Sequence, residues 1–173
     1  LFRSNEETDR MAHAALLLQR AVAYAEAQNY ADAIADLDDY LSIDTLSAIG
    51  RWERAVCQAM LNSYDASRGQ NVSMKSAQVE GDIAEAIKVA PKNAYLFYNR
   101  GNLYAAAKNY SRAIDDYSRA IEIDPNFAEA YLNRGLARCY SGKTTDGLHD
   151  FSKAGELGLY NAYAISKQLS RKK

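Results

Sequence analysis

The sequence has 173 residues, of which 48% are hydrophobic and 25% charged, with a formal net charge of -1. This length is ample for one domain with a continuous core. The near-neutral charge argues against a nucleic-acid-binding protein, which needs an excess of lysine and arginine on one face, and no apolar run approaches the roughly 18 residues that cross a bilayer. Because the chain begins with Leu1 rather than methionine, we expect a truncated start, and the compartment stays open.

Four arginines and four aspartates recur in step along the chain. Successive arginines are 34, 46 and 34 residues apart, and their aspartates follow after 16, 28, 16 and 16 residues. The pairs are Arg20 and Asp36, Arg54 and Asp82, Arg100 and Asp116, and Arg134 and Asp150. A period of 34 is typical of an array of two-helix repeats, in which each repeat buries its apolar face only by stacking on a neighbour.

The first repeat is predicted at residues 14–47 and the second at residues 48–93. The second repeat holds 12 extra residues. We place this insertion near residues 64–76, because the segment from Ser67 to Asn71 is turn-like. The insertion predicts a longer helical hairpin in the second repeat.

The third repeat, residues 94–127, has the most regular pattern. Small residues recur at its positions 8, 20 and 27, aromatic residues at positions 4, 11 and 24, and proline at position 32. In that order they are Gly101, Ala113 and Ala120, then Phe97, Tyr104 and Tyr117, then Pro125. The small residues let two helices approach closely, while the aromatic residues fill the space between hairpins. The segment from Lys108 to Tyr110 predicts the turn, with Asn109 in the left-handed conformation.

The fourth repeat, residues 128–161, keeps the pattern less well. It departs at Arg138, Gly147 and Leu159, so we expect its second helix to pack more loosely. Residues 162–170 retain enough apolar side chains to cover the last hairpin as a capping helix. No linker divides the chain, so we count residues 1–173 as a single domain.

The pattern of the third repeat resembles the tetratricopeptide repeat. It matches every signature position except position 7, where the family has leucine and this chain has Arg100. The resemblance implies an all-α fold, a right-handed α-solenoid of four helix-turn-helix repeats with a C-terminal capping helix. It also implies a concave surface that binds other proteins.

The resemblance further implies which residues line that concave groove. Carried onto this sequence, the family's groove positions give mainly apolar and aromatic residues, namely Trp52, Val56, Tyr95, Tyr98, Asn102, Leu132, Leu136, Tyr140 and Tyr163. Such a groove either receives a peptide or partner helix or is covered by the first helix, the insertion or an upstream segment. We favour the first interpretation. We expect alanine at Trp52 or Tyr98 to weaken binding of a partner with little loss of melting temperature.

One subclass of the family clamps the C-terminal carboxylate of a partner. Asn102 and Asn133 match two of its asparagine positions and Lys167 matches its last position, but Tyr98 and Tyr163 replace clamp residues. A carboxylate pair needs more positive charge than this to be held firmly. We therefore expect no full clamp, only polar contacts from Asn102 and Asn133 to a peptide backbone, and we include Asn133 in the groove.

Neither the charge series nor the rare residues indicate catalysis. The arginine–aspartate series is either a charge ladder for a ligand or a set of partly buried pairs that fix the register of each hairpin, and hairpin geometry favours the second. His13 and His149 lack metal-ligand spacing, and no nucleophile or phosphate-binding motif is present. Cys57 and Cys139 are expected to be small buried side chains rather than a disulfide. We therefore predict no enzyme activity, no metal and no cofactor.

The sequence thus predicts a non-catalytic scaffold that binds a peptide or helix of a protein partner, without nucleic-acid binding. The alternative is a structural or self-association module of a larger protein, with a homodimer formed through the N-terminal repeat. In a third interpretation, an upstream region carries the chemistry of an enzyme and this chain recruits its substrate.

Overall fold

The structure is a computed structural model that describes the backbone of residues 2–67 and 73–170 and the side chains of residues 5–62 and 78–169. Within these ranges every regular element is an α-helix. In chain order the helices are α1 (Phe2–Glu26), α2 (Tyr30–Ile43), α3 (Ala48–Ser67), α4 (Ser73–Val89), α5 (Ala94–Ala106), α6 (Tyr110–Ile123), α7 (Ala128–Tyr140), α8 (Thr144–Glu156) and α9 (Asn161–Ser170). The predicted all-α fold of paired helices is confirmed.

The helices group into two compact units, Leu1–Pro91 and Lys92–Lys173. In unit 1, α1 packs on α2, α2 on α3, and α3 on α4. In unit 2, α5 packs on α6, α6 on α7, α7 on α8, and α9 covers α8. One helix pair lies in each predicted repeat, although α1 already begins at Phe2. The assignment of both units to a single domain stays a prediction.

The helices of the second repeat are longer than those of the third. Helices α3 and α4 contain 20 and 17 residues, whereas α5 and α6 of the third repeat contain 13 and 14. The extra residues therefore extend both helices. The turn predicted from Ser67 to Asn71 falls almost wholly on residues 68–72, which lie outside the described residues.

Four helices end in the same way, at a residue with positive φ. These residues are Gln28 (59°), Lys108 (59°), Gly142 (84°) and Gly158 (105°). After α5, the N–H of Lys108 donates to the carbonyl of Ala105 (2.9 Å). The N–H of Asn109 donates to the carbonyl of Tyr104 (2.8 Å). This pair of hydrogen bonds is the Schellman motif, which satisfies the last carbonyls of a helix.

The Schellman geometry corrects one prediction about this turn. Asn109 was predicted to hold the left-handed conformation, but its φ is -85° and Lys108 holds that conformation instead. Asn109 caps the next helix, because its side chain accepts a hydrogen bond from the N–H of Arg112 (3.4 Å). The asparagine was therefore assigned to the right turn and to the wrong position within it.

Glycines bring the two helices of a repeat into close contact in unit 2. A Cβ atom at Gly101 would lie 2.7 Å from the ring of Tyr117, and one at Gly135 would lie 2.8 Å from the ring of Phe151. Both rings are almost fully buried, at 1% and 0% exposure. Because each ring occupies the volume that a larger side chain would fill, the helices pack closely only while these positions remain glycine.

Each repeat arginine forms a bidentate ion pair with its aspartate. The Nε and Nη2 atoms donate to the two carboxylate oxygens at distances of 2.6 to 3.0 Å. The four aspartates are 3% to 6% exposed, so each buried charge has a partner. The hydrogen bonds from Arg20 hold the pKa of the Asp36 carboxyl below its usual value. Each pair joins the two helices of one hairpin.

In each unit, the repeat arginine of the second hairpin also contacts the preceding hairpin. The Nη1 atom of Arg54 lies 2.6 Å from the carboxylate of Asp38 on α2. The Nη1 atom of Arg134 donates to the hydroxyl of Ser118 on α6 (3.0 Å). The side chains of Arg54 and Arg134 are 18% and 14% exposed, whereas that of Arg20 is 59% exposed. The same residue type therefore ties neighbouring hairpins together as well as the helices within them.

The loose packing expected for α8 is wrong. Arg138 adds a second ion pair to Asp150, with Nη1 and Oδ2 2.7 Å apart. Gly147 approaches α7 so closely that a Cβ atom there would lie 2.7 Å from the carbonyl oxygen of Gly135. The departures from the regular repeat pattern thus compensate for each other, because a smaller residue permits closer helices and the extra arginine supplies an ion pair.

These contacts predict opposite effects for two glycine substitutions. Gly101→Ala is expected to lower the free energy of unfolding by about 1 kcal/mol or more, because the cost of overpacking against Tyr117 exceeds the gain in helix propensity. Gly81→Ala on α4 meets nothing within 4 Å and is expected to raise it by about 1 kcal/mol. Urea denaturation followed by circular dichroism measures both. Equal stabilisation by the two substitutions would refute the close contact of α5 with α6.

Candidate functional site

The predicted groove residues are distributed over both units. Trp52 and Val56 lie on α3 in unit 1, and both are half-buried. In unit 2, the half-buried residues are Tyr98, Asn102, Leu132, Asn133 and Leu136, and the exposed ones are Tyr95, Tyr140 and Tyr163. Each unit therefore presents part of the predicted set on its own helices.

Unit 2 contains a surface cleft of about 430 Å³ between α5, α6 and α7. Its described lining is Asn102, Ala105, Ala106, Lys108, Tyr110, Tyr117, Asn133, Leu136, Ala137 and Tyr140. Four of the predicted groove residues meet here, namely Asn102, Asn133, Leu136 and Tyr140. The cleft has the size of small-ligand sites, or of one or two side chains of a bound peptide.

The walls of the cleft combine small apolar residues with a pair of stacked rings. Ala105, Ala106 and Ala137 leave space between the helices. The rings of Tyr110 and Tyr140 stack with centroids 5.2 Å apart and an angle of 19° between their planes. Tyr140 is nevertheless 70% exposed. A ring that is held by a neighbour and still open to solvent is well placed to contact a partner.

Two asparagines form a hydrogen-bonded pair at one side of the cleft. The Nδ2 atom of Asn133 donates to Oδ1 of Asn102 (3.0 Å) and to the hydroxyl of Tyr98 (3.1 Å). The hydroxyl of Tyr117 donates to the same Oδ1 of Asn102 (2.8 Å). Each asparagine is oriented by these bonds, so that Nδ2 of Asn102 and Oδ1 of Asn133 remain as donor and acceptor without a recorded partner among the described residues.

Tyr98 is part of an aromatic cluster rather than a freely exposed side chain. Its ring lies 4.7 Å from that of Phe127 and 5.9 Å from that of Tyr117, measured between centroids. Tyr95 contacts the same Phe127 at 4.8 Å. Replacing Tyr98 by alanine would remove packing as well as a surface ring, so we no longer expect that substitution to leave the melting temperature unchanged. Phe127, which joins the cluster, was not among the predicted residues.

The remaining predicted groove residues lie outside the cleft lining. Leu132 packs near Phe151 and Ala154 in the core around α8 and α9. The ring of Tyr163 packs directly over Gly155 of α8. On α3 of unit 1, Trp52 and Val56 flank Glu53 in sequence, and burial raises the pKa of the Glu53 carboxyl. Lys167, the last clamp position, does not line the cleft.

Sequence reasoning missed three polar or aromatic residues of the cleft, Lys108, Tyr110 and Tyr117. Tyr117 was assigned to the packing between hairpins, and Lys108 and Tyr110 to a turn. One signal was available for Lys108. It occupies the place in its turn that Gly142 occupies in the next turn, so aligning the two turns would have shown a charged residue where glycine fits best.

The described residues contain no group of three or more histidine, cysteine, aspartate or glutamate side chains that could hold a metal ion. Cys57 is buried and Cys139 is half-buried, and neither forms a disulfide. Burial raises the pKa of the Cys57 thiol to about 11, which disfavours the reactive thiolate at neutral pH. Within the same residues, no helix combines the length and the apolar character of a membrane span.

Comparison with known proteins agrees with the helical repeats. The tetratricopeptide repeat model matches residues 94–127. A crystal structure of MamA superposes with a TM-score of 0.71 at 24% identity, over 87% of this chain and 81% of that one. MamA from Desulfovibrio magneticus RS-1 gives 0.67 at 17% identity, over 83% and 75%. Both are tetratricopeptide-repeat proteins. Residues 94–127 of this chain therefore match the tetratricopeptide repeat, and the chain shares the helical-repeat fold of MamA.

A third similar structure is PilF of Pseudomonas aeruginosa, with a TM-score of 0.69 at 20% identity. The match covers 87% of this chain but 63% of PilF, less than two thirds of its length. No curated protein sequence matches the chain significantly. At these identities the likeness establishes the fold. The tetratricopeptide fold is generally non-catalytic and suggests a scaffold for protein interaction.

Proposed function

We propose that this chain is a non-catalytic scaffold that binds an extended peptide segment of a protein partner in the cleft of unit 2. The observation that carries this proposal is the asparagine pair. Within an otherwise mainly apolar cleft, Asn102 offers a donor and Asn133 an acceptor, and both side chains are held in place by tyrosine hydroxyls. An extended peptide presents a carbonyl and an N–H on its backbone, which match this pair.

The apolar part of the cleft would then receive a side chain of the peptide. The alanines leave the space, and Tyr140, supported by Tyr110, covers one side of it. An aromatic side chain that is pre-positioned in this way loses little conformational entropy on binding. Such an anchor contributes roughly 2 kcal/mol to affinity when it becomes fully desolvated.

Selection of binding peptides tests this proposal. A displayed library of random 12-residue peptides is selected on the intact chain, and the affinities of the selected peptides are measured by fluorescence anisotropy. Tyr140→Ala is expected to weaken them by about 30-fold, the equivalent of an anchor of roughly 2 kcal/mol.

Tyr160→Ala is the matched control, since Tyr160 is 76% exposed and does not line the cleft. It is expected to leave the affinities unchanged. Failure to select any peptide, or equal losses in the two variants, would contradict binding in this cleft.

A second candidate function, self-association, is favoured by the exposed face of α1. Arg20 is 59% exposed, whereas Arg54 in the next hairpin is 18% exposed and contacts α2. On the same helix, Leu16 is 63% exposed and lines a surface depression of about 500 Å³ with His13, Leu17, Gln19 and Arg20. The face of α3 that packs against α2 is thus covered, whereas the corresponding face of α1 is exposed. A second copy packed there would bury Leu16.

Sedimentation velocity over a wide range of protein concentrations tests self-association. The chain is expected to form dimers as its concentration rises, and Leu16→Gln to weaken the dimer by at least about tenfold, because the apolar side chain no longer becomes buried. Leu46→Gln serves as the control, since Leu46 is 71% exposed and belongs to no helix. A chain that remains monomeric at every concentration excludes this candidate.

A further inference from the structure

Lys108 occupies a backbone position that suits glycine. Its φ of 59° lies in the left-handed region, at the Schellman end of α5. The corresponding turns after α7 and α8 have Gly142 and Gly158. A residue with a Cβ atom costs roughly 1–2 kcal/mol in this conformation. The lysine therefore has a local conformational cost that glycine would avoid, and it lines the cleft while remaining exposed to solvent.

Lys108 is also the one charged residue in the described lining of the cleft. Five of the other nine cations whose side chains are described in unit 2 have carboxylate partners, namely Arg100, Arg119, Arg134, Arg138 and Lys153. No carboxylate partner is recorded for Lys108 among the described residues. A lysine without a counter-charge, beside the free amide donor of Asn102, favours an anionic group in the cleft.

The net charge of unit 2, which contains the cleft, also favours an anionic ligand. Unit 2 contains 13 lysines and arginines against 8 aspartates and glutamates, a net charge of +5. Unit 1 contains 8 against 14, a net charge of -6. The overall charge of the chain conceals this difference. An acidic segment is therefore attracted to unit 2 by its net charge and repelled by that of unit 1, which raises the rate of productive encounter.

We propose that the bound peptide carries an aspartate or glutamate within its sequence, and that this side chain pairs with Lys108 while Asn102 and Asn133 hold the adjacent backbone. This inference rests on the proposed function and specifies the chemistry of the partner. An internal carboxylate fits better than a chain terminus, because the described lining of the cleft contains a single cation, Lys108, and does not include Lys167.

The test compares peptides selected on the unmodified chain with peptides selected on Lys108→Glu. The same displayed library of random 12-residue peptides is used, in which each peptide is fused at its C-terminus and has no free terminal carboxylate. The unmodified chain is expected to select an aspartate or glutamate at a constant spacing from an apolar anchor. Lys108→Glu is expected to select lysine or arginine at that position. Lys153→Glu on α8, outside the cleft, is the charge-matched control and is expected to select the same peptides as the unmodified chain.

A selected peptide is then resynthesised with an amidated C-terminus, with its acidic residue either kept or replaced by the corresponding amide. The replacement is expected to weaken binding to the unmodified chain about fivefold, and to have no effect on binding to Lys108→Gly. Because Lys108→Gly also relieves the left-handed lysine, it is expected to melt no lower than the unmodified chain. This separates loss of charge from loss of folding.

The outcomes distinguish this inference from the function on which it rests. Selected peptides without an acidic position, or an equal effect of the acidic residue on the unmodified chain and Lys108→Gly, would overturn the role of Lys108 while peptide binding stands. If no library peptide binds either protein, the proposed function fails and the inference fails with it. Peptides that need a free C-terminal carboxylate would also overturn it.

Discussion

A carboxylate buried between two helices is the constraint on which this structure depends. Each aspartate of the series is almost fully buried. Burying its negative charge would cost much free energy without a cation at hydrogen-bonding distance. A planar guanidinium supplies two parallel hydrogen bonds, and thereby fixes both the separation of the two helices and their relative shift along the axis. The Arg–Asp pair consequently determines the register of each hairpin, and the additional bonds of Arg54 and Arg134 extend that register to the neighbouring hairpin in the same unit.

The cleft of unit 2 follows from this register. With α5 and α6 held by Arg100 and Asp116, Gly101 meets the ring of Tyr117, whose hydroxyl then reaches Asn102. The next hairpin brings Asn133 to the same oxygen. A polar pair is thus positioned by aromatic residues that belong to the packing, while alanines leave the neighbouring space unfilled. A peptide bound as proposed would meet side chains that are already positioned, which lowers the entropic cost of binding.

Much of the fold could be predicted from the sequence, because the repeat spacing can be measured directly from residue positions. The 34-residue spacing predicted paired helices, and the small and aromatic positions of the third repeat predicted which residues would meet, as Gly101 and Tyr117 do. The cleft was less predictable. The family's groove positions predicted four of its lining residues, Asn102, Asn133, Leu136 and Tyr140, but neither Lys108 nor Tyr110. Whether a turn residue faces the groove depends on which residue of the turn adopts the left-handed conformation. The left-handed conformation was predicted at Asn109, but Lys108 adopts it. The repeat boundary predicted after residue 93 lies within two residues of Pro91, but the division of the chain into two units there was not predicted.

A double-mutant cycle on Arg100 and Asp116 tests the central claim most directly, since Asp116 is the sole carboxylate recorded within bonding distance of Arg100 in the described part of the chain. Arg100→Met, Asp116→Asn and the double variant are compared by urea denaturation of the intact protein. If the ion pair fixes the hairpin, each single substitution lowers the free energy of unfolding by about 2–3 kcal/mol, and the double variant loses about 2 kcal/mol less than the sum. Losses that add to within about 0.5 kcal/mol would show that the two side chains stabilise the protein independently, and would contradict the account.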